Sequence, residues 1–281
     1  YPVIAEALID ETITVGEPYF NRVNGPILFV IVLIMGVGPL IPWRRAQPKN
    51  ISRMLRYPVG AALATAIILA VFGMRQPVAI LAFATCSIVV TGILAEWVRG
   101  SISRHKKGEN YIVAWARLVA NNRPRYGGYV VHLAIIMLTV GAIGSSFFNV
   151  QRDFALSPGQ SASLGDYVFR YVGFERNPFS DREEVTAHLA LSRFGRDLGS
   201  MYPTRSFYPD FRIGATKAAI RSTPIEDFYV VPSEFDDDGG AVFRVYINPM
   251  VWWMWASGPV LFLGTLLAIS PRRRRVQFPS R

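Results

Sequence analysis

Five apolar stretches dominate this chain of 281 residues, and each has about the length that a helix needs to cross a lipid bilayer. They are Pro26–Trp43, Pro58–Gly73, Pro77–Val98, Gly127–Phe148 and Met250–Ile269. The second is the shortest, at 16 residues. Because every backbone polar group in hydrocarbon needs an internal partner, such stretches fold as helices. The pattern predicts a multi-pass α-helical membrane protein with about five spans.

Basic residues cluster after the first, third and fifth stretches, which places all three clusters on one side of the membrane. Of the 30 Lys and Arg residues, five lie in Arg44–Arg56, seven in Arg99–Arg125 and five in Arg272–Arg281, and only Glu109 opposes them. Short loops of this charge are typical of the cytoplasmic side. Membrane topology therefore accounts for the net charge of +10, and we expect contact with membrane lipid and no nucleic-acid partner.

The segment between the fourth and fifth stretches has a different character. Its runs of alternating, β-branched or aromatic residues, separated by turn signals, predict strands. These runs are Tyr167–Phe174, Val185–Leu191, Thr216–Arg221, Phe228–Pro232 and Ala241–Ile247. We expect an antiparallel sandwich or open barrel outside the cytoplasm. The chain then divides into 1–148 with four spans, 149–248 with the β-rich domain, and 249–281 with the last span and a basic tail.

Three shorter features complete this organisation. Thr12–Asn24 is rich in turn residues and predicts an outer loop. Tyr111–Ala120 has apolar residues at helical spacing, and we expect an amphipathic helix on the membrane surface. Cys86 is the single cysteine, so the sequence contains no CxxC or CxxCH motif and is neither a dithiol oxidoreductase nor itself a c-type cytochrome.

His132 is the strongest candidate for a functional residue. It lies in Gly127–Phe148, which contains no charged residue and no other histidine. An ionisable side chain in hydrocarbon is costly and needs a partner, and imidazole is a common axial ligand of haem iron. His132 is four residues inside Gly128, about 6 Å from the cytoplasmic boundary at roughly 1.5 Å per residue. We expect Gly127 and Gly128, which lack side chains, to leave room beside the imidazole. The alternative to ligand binding is a neutral histidine that is hydrogen-bonded to a neighbouring helix.

Other histidines and tryptophans carry weaker signals. His105 belongs to a charged loop and His188 to an alternating strand, so an ordinary structural role is favoured for both. Trp252, Trp253 and Trp255 crowd the outer end of the last span. An interfacial aromatic belt is the favoured interpretation, and a stacking platform for a ligand is the alternative.

Several segments, taken together, are similar to one known family. They are Ile13–Asn21, Met35–Leu40 with Trp43–Arg45, Gly127–Leu133 with Gly141 and Gly144, Ala218–Arg221 with Asp227–Val231, and Asn248–Trp255. In this order they resemble the CcmF/NrfE haem lyase family of cytochrome c biogenesis, and the resemblance covers essentially the whole chain.

The resemblance implies a bacterial inner-membrane protein whose β-rich segment 149–248 is periplasmic. Members of the family take haem from a chaperone of the CcmE type. They join it through thioether bonds to the CxxCH cysteines of apocytochrome c, together with CcmH-type thiol partners. We therefore expect this chain to be the C-terminal part of a haem lyase subunit, inactive by itself.

The resemblance also implies a b-type haem held by two membrane histidines, of which His132 matches the second. Three further features lie upstream in the family pattern. They are the other ligand of haem b, the histidines that hold the substrate haem, and the tryptophan-rich segment. We expect His132 to bind haem iron, with a hydrogen-bond acceptor for its other ring nitrogen. Arg123 and Arg125 are expected to contact the haem propionates.

Two other functions remain open at this point. In a proton-coupled transporter, His132 would relay protons, and Glu96 is the available membrane acid. In a structural scaffold, the β-rich domain would dock a partner. An absorption spectrum of His132→Ala distinguishes both from the haem protein.

Overall fold

The structure is a computed structural model, which describes residues 17–38 and 48–270. Its helices are α1 (Glu17–Val37), α2 (Pro48–Val71), α3 (Pro77–His105), α4 (Tyr111–Asn121), α5 (Arg123–Phe147) and α6 (Val251–Ile269). Ten strands lie between α5 and α6. The described residues divide into two compact units, of which one contains 17–38, 48–139 and 257–270 and the other contains 140–256.

The helices confirm the expected membrane protein. Among the described residues, four are long and apolar enough to span a membrane: Met54–Val71 within α2, and the whole of α3, α5 and α6. Arg22–Val37 within α1 is a shorter apolar helix. The first predicted span continues to Trp43, and its end lies outside the described residues.

Two predicted boundaries are wrong. The predicted loop Thr12–Asn24 is helical from Glu17 onwards, because α1 begins there and continues through Pro26. The second span does not begin at Pro58. Helix α2 begins at Pro48 and contains Pro58, so the helix extends well beyond its apolar part. Tyr111–Asn121 is a helix as expected, and its first turn is capped by Asn110, whose side chain accepts from the Ile112 N–H at 3.0 Å.

Helix α3 is the centre of the first unit, because α1, α2 and α4 all pack against it. Its packing face is made of small and β-branched residues, including Ala84, Cys86, Val89 and Gly92. A Cβ on Gly36 of α1 would lie 2.8 Å from Val89 Cγ2, so glycine is what allows α1 to approach α3 this closely. By contrast, Pro58 is the one buried residue in the apolar part of α2, Met54–Val71, as expected for a helix that faces lipid.

The segment after α5 is an antiparallel β-sandwich. Its strands are β1 (Val150–Leu156), β2 (Ser161–Leu164), β3 (Tyr167–Pro178), β4 (Glu183–Arg193), β5 (Arg196–Met201), β6 (Thr204–Tyr208), β7 (Ile213–Lys217), β8 (Ala219–Ser222), β9 (Glu226–Phe235) and β10 (Ala241–Pro249). One sheet has the order β1-β10-β9-β8, and the other has β2-β3-β4-β6-β7 with β5 also paired to β4. The predicted run Thr216–Arg221 is two strands in different sheets.

Alternating residues of the strands form the sandwich core. Tyr167, Phe169 and Tyr171 of β3 are fully buried, while the residues between them are exposed. Tyr167 stacks on Phe228 of the other sheet, with ring centroids 4.6 Å apart. The two sheets are therefore joined by aromatic rings, and period-two alternation is the physical origin of this arrangement.

Candidate functional site

His132 lies on α5, in the part of this helix that contains no charged residue. The residue as a whole is half-buried. Its Nδ1 atom is fully buried and has no hydrogen-bond partner among the described residues. The expected acceptor for the ring is therefore not provided by this part of the chain. A buried polar atom without a partner is costly, so this imidazole is suited to bind a ligand from outside these residues.

The two glycines before His132 have different surroundings. A Cβ on Gly127 would lie 2.7 Å from Ala268 Cα of α6, so the space at Gly127 is filled by the neighbouring helix. A Cβ on Gly128 would meet nothing within 4 Å. The expectation that both glycines leave room beside the imidazole is thus wrong for Gly127 and confirmed for Gly128. Because Gly128 is one turn before His132, the open space lies on the histidine's side of α5.

Close packing with α6 fixes α5 around this position. A Cβ on Gly264 of α6 would lie 2.8 Å from the backbone nitrogen of Val131 and 3.0 Å from Val130 Cγ1. Helices in membranes approach this closely only where small residues remove the side chains between them. The residues next to His132 are therefore held by backbone contact, and His132 points away from that contact face by about 100° of helix rotation.

Arg125 is already engaged by protein groups. Its Nη2 lies 2.5 Å from Glu96 Oε2 of α3, and its Nε donates to the Tyr129 hydroxyl at 2.9 Å. Glu96 also pairs with Arg99, at 2.7 Å. Arg125, Tyr129 and His132 follow one another at spacings of four and three, so they share one face of α5. Tyr129 is not among the residues predicted for the site, although this spacing indicates its position.

Arg123 and Arg125 are both at the start of α5, as expected. The side chain of Arg125 is 48% exposed, so it is accessible even while it pairs with Glu96. Arg123 also has an interaction partner in the protein. Contact of either arginine with haem propionates stays a prediction.

The other two histidines have local partners. The Nδ1 of His105 lies 2.8 Å from the backbone oxygen of Glu109, and its ring stacks on Tyr111. The Nε2 of His188 lies 2.9 Å from Ser200 Oγ, and its ring stacks on Tyr202. Both arrangements agree with the structural roles that the sequence favours.

The loop between α3 and α4 is organised by its one acid. Glu109 accepts from Arg117 Nη1 at 2.9 Å and from Arg104 Nη1 at 3.3 Å. The hydrogen bond from Arg117 lowers the pKa of the Glu109 carboxyl below its ordinary value.

Across residues 17–38 and 48–270, His, Cys, Asp and Glu nowhere form a group of three or more that could hold a metal ion by themselves. A metal at His132 would therefore need ligands from outside these residues.

The tryptophans at the start of α6 contribute to the junction with the sandwich. Trp253 donates from Nε1 to the Pro224 carbonyl at 2.9 Å, and its ring meets Trp252 edge-on. Trp255 is 75% exposed. An interfacial belt explains Trp255, whereas Trp253 fastens the helix to the turn between β8 and β9.

Comparisons with known proteins agree with this fold. The family model described as the CcmF C-terminal beta-sandwich matches residues 147–249. Over its whole length the chain is 30% identical to the cytochrome c-type biogenesis protein CcmF of Pseudomonas fluorescens and 26% identical to CycK of Rhizobium meliloti. It covers 42% and 41% of those proteins, so it spans about two fifths of their length.

The fold is also found in a solved structure. The chain named Cytochrome c Heme Lyase CcmF superposes with a TM-score of 0.74 at 24% identity, over 96% of this chain and 43% of that one. At this identity the likeness concerns the fold, and it extends to the helices as well as the sandwich.

Proposed function

The chain belongs to the CcmF/NrfE family of cytochrome c-type biogenesis proteins, whose C-terminal portion it matches, and from this premise we propose that it takes part in attaching haem to apocytochrome c. In this proposal the chain is part of a haem lyase subunit. His132 would be one of the two ligands that hold the iron of a b-type haem. The second ligand comes from protein outside the 281 residues.

One observation carries the haem-ligand proposal. His132 has a buried Nδ1 without a protein partner among the described residues, while the space beside Gly128 on the same side of α5 is open. Trp97 Nε1 and Arg193 Nε are also buried without a partner in this part of the chain, but neither is a metal ligand. His105 and His188, which can ligate iron, have ring nitrogens at hydrogen-bond distance from local oxygens.

The chain's own residues then have defined roles. His132 binds iron through one ring nitrogen, and the apolar surroundings in α5 favour the neutral imidazole that ligation requires. The contacts of Gly127 and Gly264 between α5 and α6 fix the turn of α5 that directly precedes His132. When bound, a b-type haem would supply one-electron chemistry. Arg123 and Arg125 stay proposed propionate contacts, and Arg125 would have to share its guanidinium with Glu96.

The proposed partners follow from the family. They are a CcmE-type haem chaperone, CcmH-type thiol proteins and apocytochrome c. The membrane is the bacterial inner membrane, with segment 149–248 in the periplasm, because the basic clusters favour a cytoplasmic location for the loops at the other ends of the helices.

A transporter is less well supported by the geometry. A proton relay from His132 would need an acid facing it, and Glu96 is instead paired with Arg99 and Arg125. A scaffold function would not explain the buried Nδ1 of His132, which has no hydrogen-bond partner among the described residues.

The test is a maturation assay in bacteria that depend on this protein, expressed with the upstream segment that its longer relatives carry. His132→Ala should abolish covalent haem on c-type cytochromes, whereas His188→Ala should preserve it. Both variants must reach the membrane in equal amounts. Normal maturation in His132→Ala would overturn the proposal.

A further inference from the structure

Two turns of the β-sandwich present large apolar side chains to the outside. Phe194, in the turn between β4 and β5, is 74% exposed, and Ile225, in the turn between β8 and β9, is 71% exposed. The two turns belong to different sheets. Phe194 has a φ of +50°, a conformation that is unfavourable for a bulky residue. Turns normally carry polar residues, and exposed apolar side chains that share one region of a surface mark a site of contact with protein or membrane.

The two turns lie at the same end of the sandwich. Arg193 Nη2 lies 2.7 Å from Glu226 Oε1, which joins the residue before Phe194 to the residue after Ile225. The Arg193 guanidinium also lies over the Phe194 ring, 5.2 Å from its centroid. Phe194 and Ile225 thus each lie next to one residue of this ion pair, and we call these two residues the apolar tip.

This end of the sandwich is also where the last membrane helix begins. The Met250 N–H donates to the Ile225 carbonyl at 2.8 Å, and the Trp253 indole donates to the Pro224 carbonyl at 2.9 Å. Pro249, the last residue of β10, pairs with Glu226. The turn that carries Ile225 is therefore fastened to the first turn of α6, at the level of Trp253.

The position of the tryptophans at the start of α6 indicates what covers the apolar tip. Tryptophan at the end of a membrane span is typical of the boundary between hydrocarbon and lipid headgroups. Ile225 bonds to Met250, directly before the first residue of α6, so the apolar tip lies at the end of the span that these tryptophans mark. Phe194 and Ile225 are residue types that insert into that boundary.

We propose that the apolar tip is a lipid contact, which places Phe194 and Ile225 in the headgroup region of the same bilayer that α6 crosses. The partner is the phospholipid surface itself. This inference does not depend on His132 or on haem.

The test measures depth with a fluorophore. Phe194→Cys and Ile225→Cys, each in a Cys86→Ala background, are labelled with an environment-sensitive dye. The labelled protein is reconstituted in phosphatidylcholine vesicles that contain lipids spin-labelled at the headgroup or along the acyl chain. Phe179→Cys is the matched control. It lies in the turn at the other end of β3 and β4, about 35 Å away along the strands, and is 50% exposed.

We expect headgroup-labelled lipid to remove most of the emission from positions 194 and 225, and to leave position 179 unchanged. A water-soluble quencher should give the opposite order. Using two tip positions keeps the test valid if one variant does not fold. Equal and weak lipid quenching at all three positions would overturn the proposal. Protection of the tip from both quenchers would overturn it too, because a protein surface would then cover Phe194 and Ile225.

Discussion

Arg125 of α5 and Glu96 of α3 form an ion pair with Nη2 and Oε2 2.5 Å apart, and Glu96 is the only acidic residue within α3. The pair connects two membrane helices on the α5 face that carries His132. The Glu96 side chain is 16% exposed, so water screens the pair only in part. The pair therefore helps to fix the orientation of α5 about its own axis, and its contribution to stability can be measured.

We expect a double-mutant cycle of Glu96→Gln and Arg125→Gln to give a coupling energy of about 0.5–1 kcal/mol, the upper range for a partly exposed pair. The readout is thermal unfolding in detergent micelles, followed by helical circular dichroism. A parallel cycle of Glu96→Gln with Arg99→Gln tests the second partner of the carboxylate. Additive effects of the first two substitutions would show that the pair does not connect the helices.

Gly127 and Gly128 provide a matched test of the packing between α5 and α6. Gly127→Ala places a Cβ against the backbone of Ala268, which cannot move aside as a flexible side chain would, whereas Gly128→Ala meets open space. Overpacking should cost Gly127→Ala about 1–3 kcal/mol, and Gly128→Ala should be close to neutral. The measurement is the unfolding free energy in micelles. Equal effects of the two substitutions would contradict the packing described.

The bond between Trp253 and the Pro224 carbonyl can be removed with little change in shape. Trp253→Phe should destabilise the protein by about 1 kcal/mol, since a carbonyl loses its donor and a ring becomes smaller. Trp255→Phe is the control, because Trp255 is mostly exposed. Melting temperatures of the two variants are compared in the same detergent. The junction would not depend on this bond if Trp255→Phe were the more destabilising change.

Asp153 of β1 and Arg244 of β10 give the sandwich a defined pH response. Arg244 donates to Asp153 from Nε at 2.8 Å and from Nη2 at 3.1 Å, and these hydrogen bonds lower the pKa of the Asp153 carboxyl. A carboxyl whose pKa is lower in the folded protein than in the unfolded protein stabilises the fold. This stabilisation is fully present above the pKa of the unfolded protein, about 3.9, and it is lost as the pH falls through the pKa of the folded protein.

The stability difference between the wild type and Asp153→Asn should therefore be present at neutral pH and shrink below about pH 4. Asp210→Asn, in an exposed turn, is the control. Unfolding of the sandwich is followed by the loss of its β-sheet circular dichroism signal, from neutral pH to about pH 3. A difference that stays constant across this range would show that Asp153 is not held by Arg244.

Apolar length and charge predict the membrane helices well, but they do not predict where each helix begins. The run of charges before Pro58 marks the edge of the apolar segment, whereas hydrogen bonding continues the α2 helix back to Pro48. Residues near the boundary can remain helical in water as well as in lipid. Hydropathy therefore locates the bilayer rather than the end of the helix.

The strands show a second limit of prediction from the sequence, which concerns strand pairing. The pattern of Thr216–Arg221 predicts one strand, yet Ile213–Lys217 pairs with β6 in one sheet and Ala219–Ser222 pairs with β9 in the other. Alternation indicates which side chains face inward but carries no information about the partner strand. The chain changes sheets at Ala218, where only long-range pairing decides the outcome.

The candidate site is predictable in its central residue and not in its surroundings. His132 stands out because it is the one ionisable histidine in a span without charged residues. Gly127 and Gly128 are equivalent in the sequence, and only the approach of α6 separates a packed glycine from an open one. The engagement of Arg125 by Glu96 is likewise a contact between residues 29 positions apart.

The most direct test of the haem proposal is the reduced absorption spectrum of the purified protein, expressed with the upstream segment that its longer relatives carry. The comparison is between the wild type, His132→Gly and His132→Gly with added imidazole. We predict a b-type α band in the wild type, its loss in His132→Gly and its partial return with imidazole, which can occupy the space that the side chain leaves. An undiminished band in His132→Gly would contradict the assignment of His132 as a haem ligand.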